Sequence, residues 1–429
     1  MEGHTACMVE GTGIMKTHSI DYSAQARTNP VFMTAKTAVC LMAQAGIPDA
    51  EDIVRRLGLG SAPELSGMTD SGTILGNELV VEAKYRAMCR LIEASGYRIN
   101  VDLPCGYTPK ALHLTDKGLR FIGLDLPIVA GEAGPILSAL AAHPERMRFE
   151  GVDATNLDTL EAALREVREP ICLTTEGMMM YFTESEVSTV IANVRRLLET
   201  HGGCWITPDP EYILQFALTF RAVLGEDALQ KLMASRDAAA GQSDAGSLTN
   251  AFIVNPMDIQ ASVERVTALL ATHGLKARRV NLAEHMPELT AYRALTAAQI
   301  EAFRTAMDKC HYWVITPDER WKRCDTPRES SPFSLSCGIV NGVFRVSLQG
   351  RMDTITAPEL LKAWEAEKDA NTIDSVEIDC SRLQYISSAG LRVLLIMHKA
   401  CRGGVKLRGA NALVREILEQ TGFDAIFRG

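Results

Sequence analysis

The chain has 11 cysteines but no C-x-x-C pair, and no two of them stand closer than thirteen positions, so they read as scattered reduced thiols. That spacing gives no disulfide framework and no support for a zinc site. No continuous apolar run is long enough to cross a membrane. The first residues, Met1-Glu-Gly-His-Thr-Ala-Cys7, lack the basic start and apolar core of a signal peptide, so a cytoplasmic protein with no membrane partner is expected. Excess basic charge is missing as well: 44 Lys+Arg against 53 Asp+Glu leave a net charge of -9. Nucleic acid is therefore not the expected partner, because phosphate binding needs a basic surface. No internal repeat is visible. What remains is globular material, 47% hydrophobic with a mean hydropathy of +0.01, in a chain of 429 residues that one core would not comfortably support. Two domains are the default.

Glycine is scarce where a phosphate would need it. The stretch Val101-Asp-Leu-Pro-Cys-Gly-Tyr-Thr-Pro109 follows an apolar lead-in from Tyr97 to Leu103 that reads as a buried parallel strand, and Gly106 sits in the turn after it. There a missing Cβ lets backbone approach a ligand closely. A pyrophosphate cradle needs several glycines so that successive N–H groups line the anion. This turn has one, between Pro104 and Pro109, which makes NAD and ATP poor candidates. Asp125 ends the next strand, nineteen positions after Gly106. That is near the separation of about 20 residues at which a carboxylate meets a ribose hydroxyl in doubly wound folds. A ribose is the expected ligand, although the segment alone fits a βα turn that binds nothing equally well.

Two more apolar runs end in acids: Arg148-Phe-Glu-Gly-Val-Asp153, and Ile171-Cys-Leu-Thr-Thr-Glu176, which runs on through Gly177-Met-Met-Met-Tyr181. Four successive strands closing on Asp102, Asp125, Asp153 and Glu176 would set their carboxylates along one edge of a parallel sheet, where open α/β folds bind ligands. A single strand-end acid is usually a helix N-cap. Four in a row, with the turn glycine, suit a cationic and zwitterionic nucleoside such as S-adenosylmethionine, whose ribose, adenine amine and ammonium all seek carboxylates.

These residues carry a resemblance. Asp102-Leu-Pro-Cys-Gly106, Gly123-Leu-Asp125-Leu-Pro127, Val152-Asp153-Ala154 and Glu176-Gly-Met-Met-Met-Tyr181 resemble the successive motifs of class I S-adenosylmethionine-dependent methyltransferases, particularly the leucine carboxyl methyltransferase-like branch. The similarity spans roughly residues 15 to 316. It implies a Rossmann-like α/β domain with a mostly parallel seven-stranded sheet and S-adenosylmethionine as cofactor. It further implies that Gly106 packs under the cofactor, that Asp125 binds the ribose, Asp153 the adenine edge and Glu176 the methionyl amino end, with Asp102 a member of the same cofactor-binding set. A basic residue from a helix ahead of the first strand should pair with the cofactor carboxylate; Lys84 and Arg86 match that place, and Lys36 matches it less closely. Pro104 and Cys105 depart from the more glycine-rich first turn of the family.

Between these strands the pattern is helical. From Thr183 to Thr200 the apolar residues Val187, Val190, Ile191, Val194, Leu197 and Leu198 recur on one face, Thr183 with Glu186 reads as a capping box, and Gly202-Gly203 stops the helix. Trp205 to Pro210 continues as a strand and loop. The segment from about Pro210 to Pro256, loose between Ala238 and Ser247, reads as a substrate-facing lid or a plain surface loop. Segments 277–282 and 311–315 supply closing strands. Methyl transfer is an in-line displacement, in which alignment and desolvation matter most and a base is needed only for a protonated nucleophile. Substrate contacts are expected at Tyr181, Asp209 and Glu211, although a core role suits Tyr181 in its Met-Met-Met-Tyr-Phe run. His201 and His311 could serve as bases, but lone histidines usually only satisfy local hydrogen bonds.

Thr316 to Pro332 is charged, proline-bearing and without apolar periodicity, which is how an interdomain linker reads. The expected organisation is a methyltransferase domain over 1–316, a linker over 317–333 and a small α/β domain over 334–429. The final 97 residues hold 12 basic and 11 acidic side chains, so the acidity of the chain belongs to its first part. In the tail, short strands are expected at Gly342–Leu348, Ser375–Asp379 and near Val405, with helices near Ala357–Lys368, Ser388–Cys401 and from Ala412. The segments Leu348-Gln-Gly-Arg-Met-Asp353 and Glu377 to Leu394, with Ile386-Ser-Ser-Ala-Gly390 inside it, resemble the STAS domain of bacterial anti-sigma factor antagonists. That resemblance implies a phosphorylation candidate at Ser388 and a kinase or anti-sigma-type protein as partner. Phosphate would add about -1.5 to -2 charges at a helix start; Ser388 as a simple N-cap is the bland alternative. Gly390 is expected to serve close packing. Two functions follow: a methyltransferase acting on a small-molecule or protein carboxylate, hydroxyl or thiol, with the STAS domain docking or regulating it, or a non-catalytic S-adenosylmethionine sensor whose STAS domain is the output.

Overall fold

The computed structural model describes residues 30–66, 70–227, 230, 250–319, 333–340, 342–353, 355–370, 372–420 and 423–427. The loose stretch Ala238–Ser247 and most of the expected linker lie outside the described residues. Seven strands, β1 (Ile99–Asp102), β2 (Arg120–Asp125), β3 (Met147–Gly151), β4 (Ile171–Thr174), β5 (Gly203–Thr207), β6 (Leu275–Asn281) and β7 (His311–Pro317), form one sheet in the order β3-β2-β1-β4-β5-β7-β6. The first five are parallel neighbours, and β7 inserts antiparallel between β5 and β6. Helices between the strands cover both faces, so β1 and β4 are buried at every position and read as continuous apolar runs.

The helix Glu184–His201 forms as its sequence demands. Thr183 and Glu186 make a reciprocal capping box, the periodic apolar residues are buried, and Gly202 ends it at a positive φ of 76°. A helix of 24 residues, Ser71–Ala94, precedes β1 and is capped by the Asp70 carboxylate on the Thr73 N–H.

A second sheet contains β8 (Ser334–Val340), β9 (Val343–Met352), β10 (Ser375–Ile386) and β11 (Val405–Arg408) in the order β11-β10-β9-β8, with β8 antiparallel and the rest parallel. It has its own apolar core around Phe344, Trp364, Ile378, Leu394 and Ile417, separate from the larger core under the first sheet. The helices Ala357–Ala370, Ser388–Ala400 and Ala412–Gln420 stand where the sequence places them. β8 was not expected, and β10 runs to Ile386 rather than stopping at Asp379, because register irregularities after Asp379 and after Leu383 carry the strand onward.

Candidate cofactor site

The sheet order sets the four acids side by side. Asp125 and Asp102 end β2 and β1, and Asp153 and Glu176 stand just beyond β3 and β4, so the spatial order is Asp153, Asp125, Asp102, Glu176, at the strand reversal between β1 and β4. Their environments differ. Asp125 Oδ2 accepts from the Gly106 N–H at 2.8 Å and its Oδ1 from the Leu126 N–H at 2.8 Å, so one carboxylate ties the first turn to the end of β2. Burial pushes this carboxyl up to about 7, with the two N–H donors working against the shift. Gly106 has a φ of 54°, and a Cβ there would meet no atom within 4 Å, so the turn borders open space.

Asp102 is fully buried, and its two oxygens take the Lys110 ammonium at 3.0 and 3.1 Å while Oδ1 also accepts from Thr174 Oγ1 at 2.7 Å. The ammonium lies 3.9 Å from Glu176 Oε2. Burial alone would lower the Lys110 pKa; the Asp102 and Glu176 charges outweigh it and hold the group well above its ordinary value. Asp102 therefore anchors Lys110 and Thr174. No sequence signal pointed to Lys110, since a lysine in the first turn of a helix usually faces water.

Lys84 reaches this edge from the long helix Ser71–Ala94. Its Nζ lies 3.3 Å from Glu176 Oε1 and 4.4 Å from the centre of the Tyr212 ring, with only 6% of its side chain exposed. Glu176 is more open, at 17%. Arg86 does not join them: its Nε pairs with Glu82 at 2.7 Å and its Nη2 donates to Thr290 Oγ1. Residues two apart on a helix point to different sides, so only one of this pair could face the acids. Lys36 bonds to Glu132 at 3.1 Å beside the Tyr107 ring, near the first turn and away from Glu176.

Asp153 is 3% exposed, and its Oδ1 accepts from both the N–H and the hydroxyl of Thr155 at 2.7 Å. The Ala154 carbonyl accepts from Asn193 Nδ2 at 2.9 Å.

The expected substrate contacts at Asp209 and Glu211 do not fit the structure. Both side chains are fully buried. Asp209 accepts from the backbone N–H groups of Gly177, Met178 and Met179 at 2.6 to 3.0 Å, fixing the loop after Glu176. Glu211 accepts from Arg279, the His311 N–H and Trp313 Nε1, locking β6 and β7 to the end of β5. His311 shares Nδ1 with Arg279 within this cluster, and His201 ends its helix ahead of β5, at the sheet edge opposite the acids. Tyr181 packs with Met180, Ile213, Ile253 and Tyr212; Ile213 and Ile253 also line a mainly apolar cleft of about 460 Å³ that includes Glu184, Asn250 and Arg265. Among the described residues no cluster of His, Cys, Asp and Glu could hold a metal ion, and no helix is long and apolar enough to cross a membrane.

In the second sheet Ser388 opens the helix Ser388–Ala400, but the N-cap is Ser387, whose hydroxyl accepts from the Gly390 N–H and whose own N–H donates to Met352 O at 2.9 Å. A Cβ at Gly390 would stand 2.8 Å from Ile386 and 2.9 Å from Met352, so close packing does require the glycine.

Residues 339–428 match the family model described as Mlab, STAS domain. The Bordetella bronchiseptica protein named "Putative anti-sigma factor antagonist BtrV" is 37% identical over 96 residues, which are 22% of this chain and 82% of that protein. An anti-sigma factor antagonist from Mycobacterium paratuberculosis superposes on 23% of this chain and 87% of its own, with 27% identity and a TM-score of 0.21. The S-adenosylmethionine-dependent methyltransferase SibL, solved in its apo form, covers 69% of this chain and 77% of its own, with 14% identity and a TM-score of 0.33. Through its C-terminal sheet and helices, the chain belongs to the STAS-domain family of anti-sigma factor antagonists.

Proposed function

We propose that the seven-stranded domain binds S-adenosylmethionine at the Gly106 edge and transfers its methyl group to a carboxylate, hydroxyl or thiol of a small molecule or protein. One observation carries the reading: a buried Lys84 ammonium paired with the more open Glu176 carboxylate, beside the unobstructed Gly106 turn. Those two charges fit an amino-acid end, the cation taking a carboxylate and the anion an ammonium. Asp125 keeps lone pairs for two vicinal hydroxyls, because each of its oxygens accepts only one backbone N–H. Asp153 lies at the adenine side of the same edge. Bound there, S-adenosylmethionine would supply an electrophilic methyl group on its sulfonium sulfur.

The chain's own part is alignment and exclusion of water. Lys110 and Asp102 form a buried ion pair behind Glu176 that fixes the floor of the site, while Asp209 holds the Gly177–Met179 backbone and with it the orientation of Glu176. The cleft lined by Ile213, Ile253 and Asn250 is of a size that accommodates a small acceptor, and a carboxylate acceptor there needs no base. Calorimetry should show S-adenosylhomocysteine binding that Asp125→Ala weakens by at least about tenfold, one lost charge-assisted pair being worth about 1.5 to 3 kcal/mol. Unchanged affinity in that variant would remove Asp125 from the site.

For the STAS domain we propose an anti-sigma-type partner or a kinase, with Ser388 as the modified residue at the start of its helix. Mass spectrometry after incubation with candidate kinases should place phosphate on Ser388; label confined to other residues rejects it.

A further inference from the structure

The STAS domain does not stand apart from the proposed cofactor site. Arg351 Nη2 donates to the Thr155 carbonyl at 2.9 Å, and Asp353 Oδ2 accepts from Asn156 Nδ2 at 2.7 Å. Thr155 and Asn156 belong to the short loop that leads from β3 through Asp153 into the helix Leu157–Leu164. Within its own domain the loop is held by Thr155 on Asp153, by the Asn156 N–H on the Asp153 carbonyl, by Thr159 on the Asn156 carbonyl and by Asn193 on the Ala154 carbonyl. The STAS domain adds two more contacts, to the Thr155 carbonyl and the Asn156 side chain.

The STAS side of the contact is anchored within its own domain. Asp353 is fully buried, and its Oδ1 accepts from the Ile355 and Thr356 N–H groups and the Thr356 hydroxyl. The Arg351 guanidinium lies 4.1 Å from the centre of the Tyr385 ring, which is 2% exposed. Met352, between these two residues, receives the Ser387 N–H at the start of the Ser388 helix.

We propose that the STAS face formed by Arg351, Asp353 and Tyr385 is a docking surface for the cofactor loop of the same chain, so that docking and cofactor binding strengthen each other. The coupling rests on the reading of Asp153 as part of the cofactor site. A loop already held by Arg351 and Asp353 presents Asp153 without paying its ordering cost on binding, and a loop released from them must pay it. Linkage makes the effect reciprocal: a bound cofactor favours the docked STAS domain, and anything that draws the Arg351–Asp353 face away weakens cofactor binding by the same factor. A protein partner that uses this face therefore competes with the chain's own loop.

The test uses the full chain with Asn156→Asp. Aspartate keeps the N-cap that Asn156 provides on the Asp158 N–H, so the helix is retained, but it sets a second carboxylate against Asp353. Hydrogen exchange should quicken over residues 153–156 and 351–353. Calorimetry should show S-adenosylhomocysteine affinity falling by at least about fivefold, the lower range of allosteric couplings. The double variant Asn156→Asp with Asp353→Asn restores an amide facing a carboxylate with the roles exchanged, and should recover most of the loss; recovery separates docking from general damage to the loop. Faster exchange with unchanged affinity overturns the coupling. Unchanged exchange and affinity show that the domains are not docked in solution, and overturn it as well. If the unmodified chain binds no S-adenosylhomocysteine, the cofactor reading falls and takes the coupling with it.

Discussion

Burial pushes the Asp125 carboxyl up to about 7, which puts a pH dependence into the middle of the proposed site. A carboxylate accepts hydroxyl hydrogens better than a neutral acid does, so S-adenosylhomocysteine affinity should rise between pH 6 and pH 8, and Asp125→Asn should flatten that rise in calorimetry. The same shift acts on folding with the opposite sign. The folded chain holds this proton where the unfolded chain has released it, so the stabilisation is complete below the ordinary value of 3.8 and is lost as pH rises through about 7. Asp209 gives a second prediction. Replacing it by alanine strands two buried N–H groups, each worth about 1 to 3 kcal/mol, and the half-buried Gly177 N–H, and urea unfolding should show a loss of at least about 2 kcal/mol. At this scale the sequence shows Asp125 and Gly106 because strand-end acids and turn glycines recur at set spacings. Lys110 and the structural roles of Asp209 and Glu211 stay hidden, since their partners Asp102, Gly177 and Trp313 are chosen by tertiary folding. Arg86 and Lys84 look alike in sequence, and only the rotation of the helix separates them.

The elements were more legible than the residues. The helix Glu184–His201 could be read from end to end because periodicity, capping box and stop signal agree. Thr183→Ala should cost about 1 kcal/mol, readable as a lower denaturation midpoint with an unchanged denaturant slope. Gly390→Val should cost more, about 1 to 3 kcal/mol, because its side chain has to displace Ile386, Met352 or the Met352 carbonyl; thermal unfolding of the STAS part is the measurement. β8 escaped the reading because Ser334-Leu-Ser-Cys-Gly-Ile-Val340 is half exposed and carries small residues, giving little contrast between its faces. In β10, residues 380–386 took the run past its expected end, since irregular register breaks the alternation on which a strand is recognised.

Across the whole molecule, two separate apolar cores predict two unfolding transitions in scanning calorimetry. S-adenosylhomocysteine at about 100 times Kd should raise the one belonging to the seven-stranded domain by about 2.7 kcal/mol. The shift in composition after residue 316 made a second body visible in the sequence. The contact of Arg351 and Asp353 with Thr155 and Asn156 was not visible, because it joins residues nearly two hundred positions apart whose types are unremarkable on any surface. The placement of β7 bears on synthesis. This strand is the last of its sheet to leave the ribosome, yet it lies between β5 and β6, with Tyr312 bonded to the Lys84 carbonyl and Trp313 to Glu211. The nascent larger domain therefore cannot seal its sheet until His311–Pro317 has emerged, by which time translation has already begun on the STAS domain.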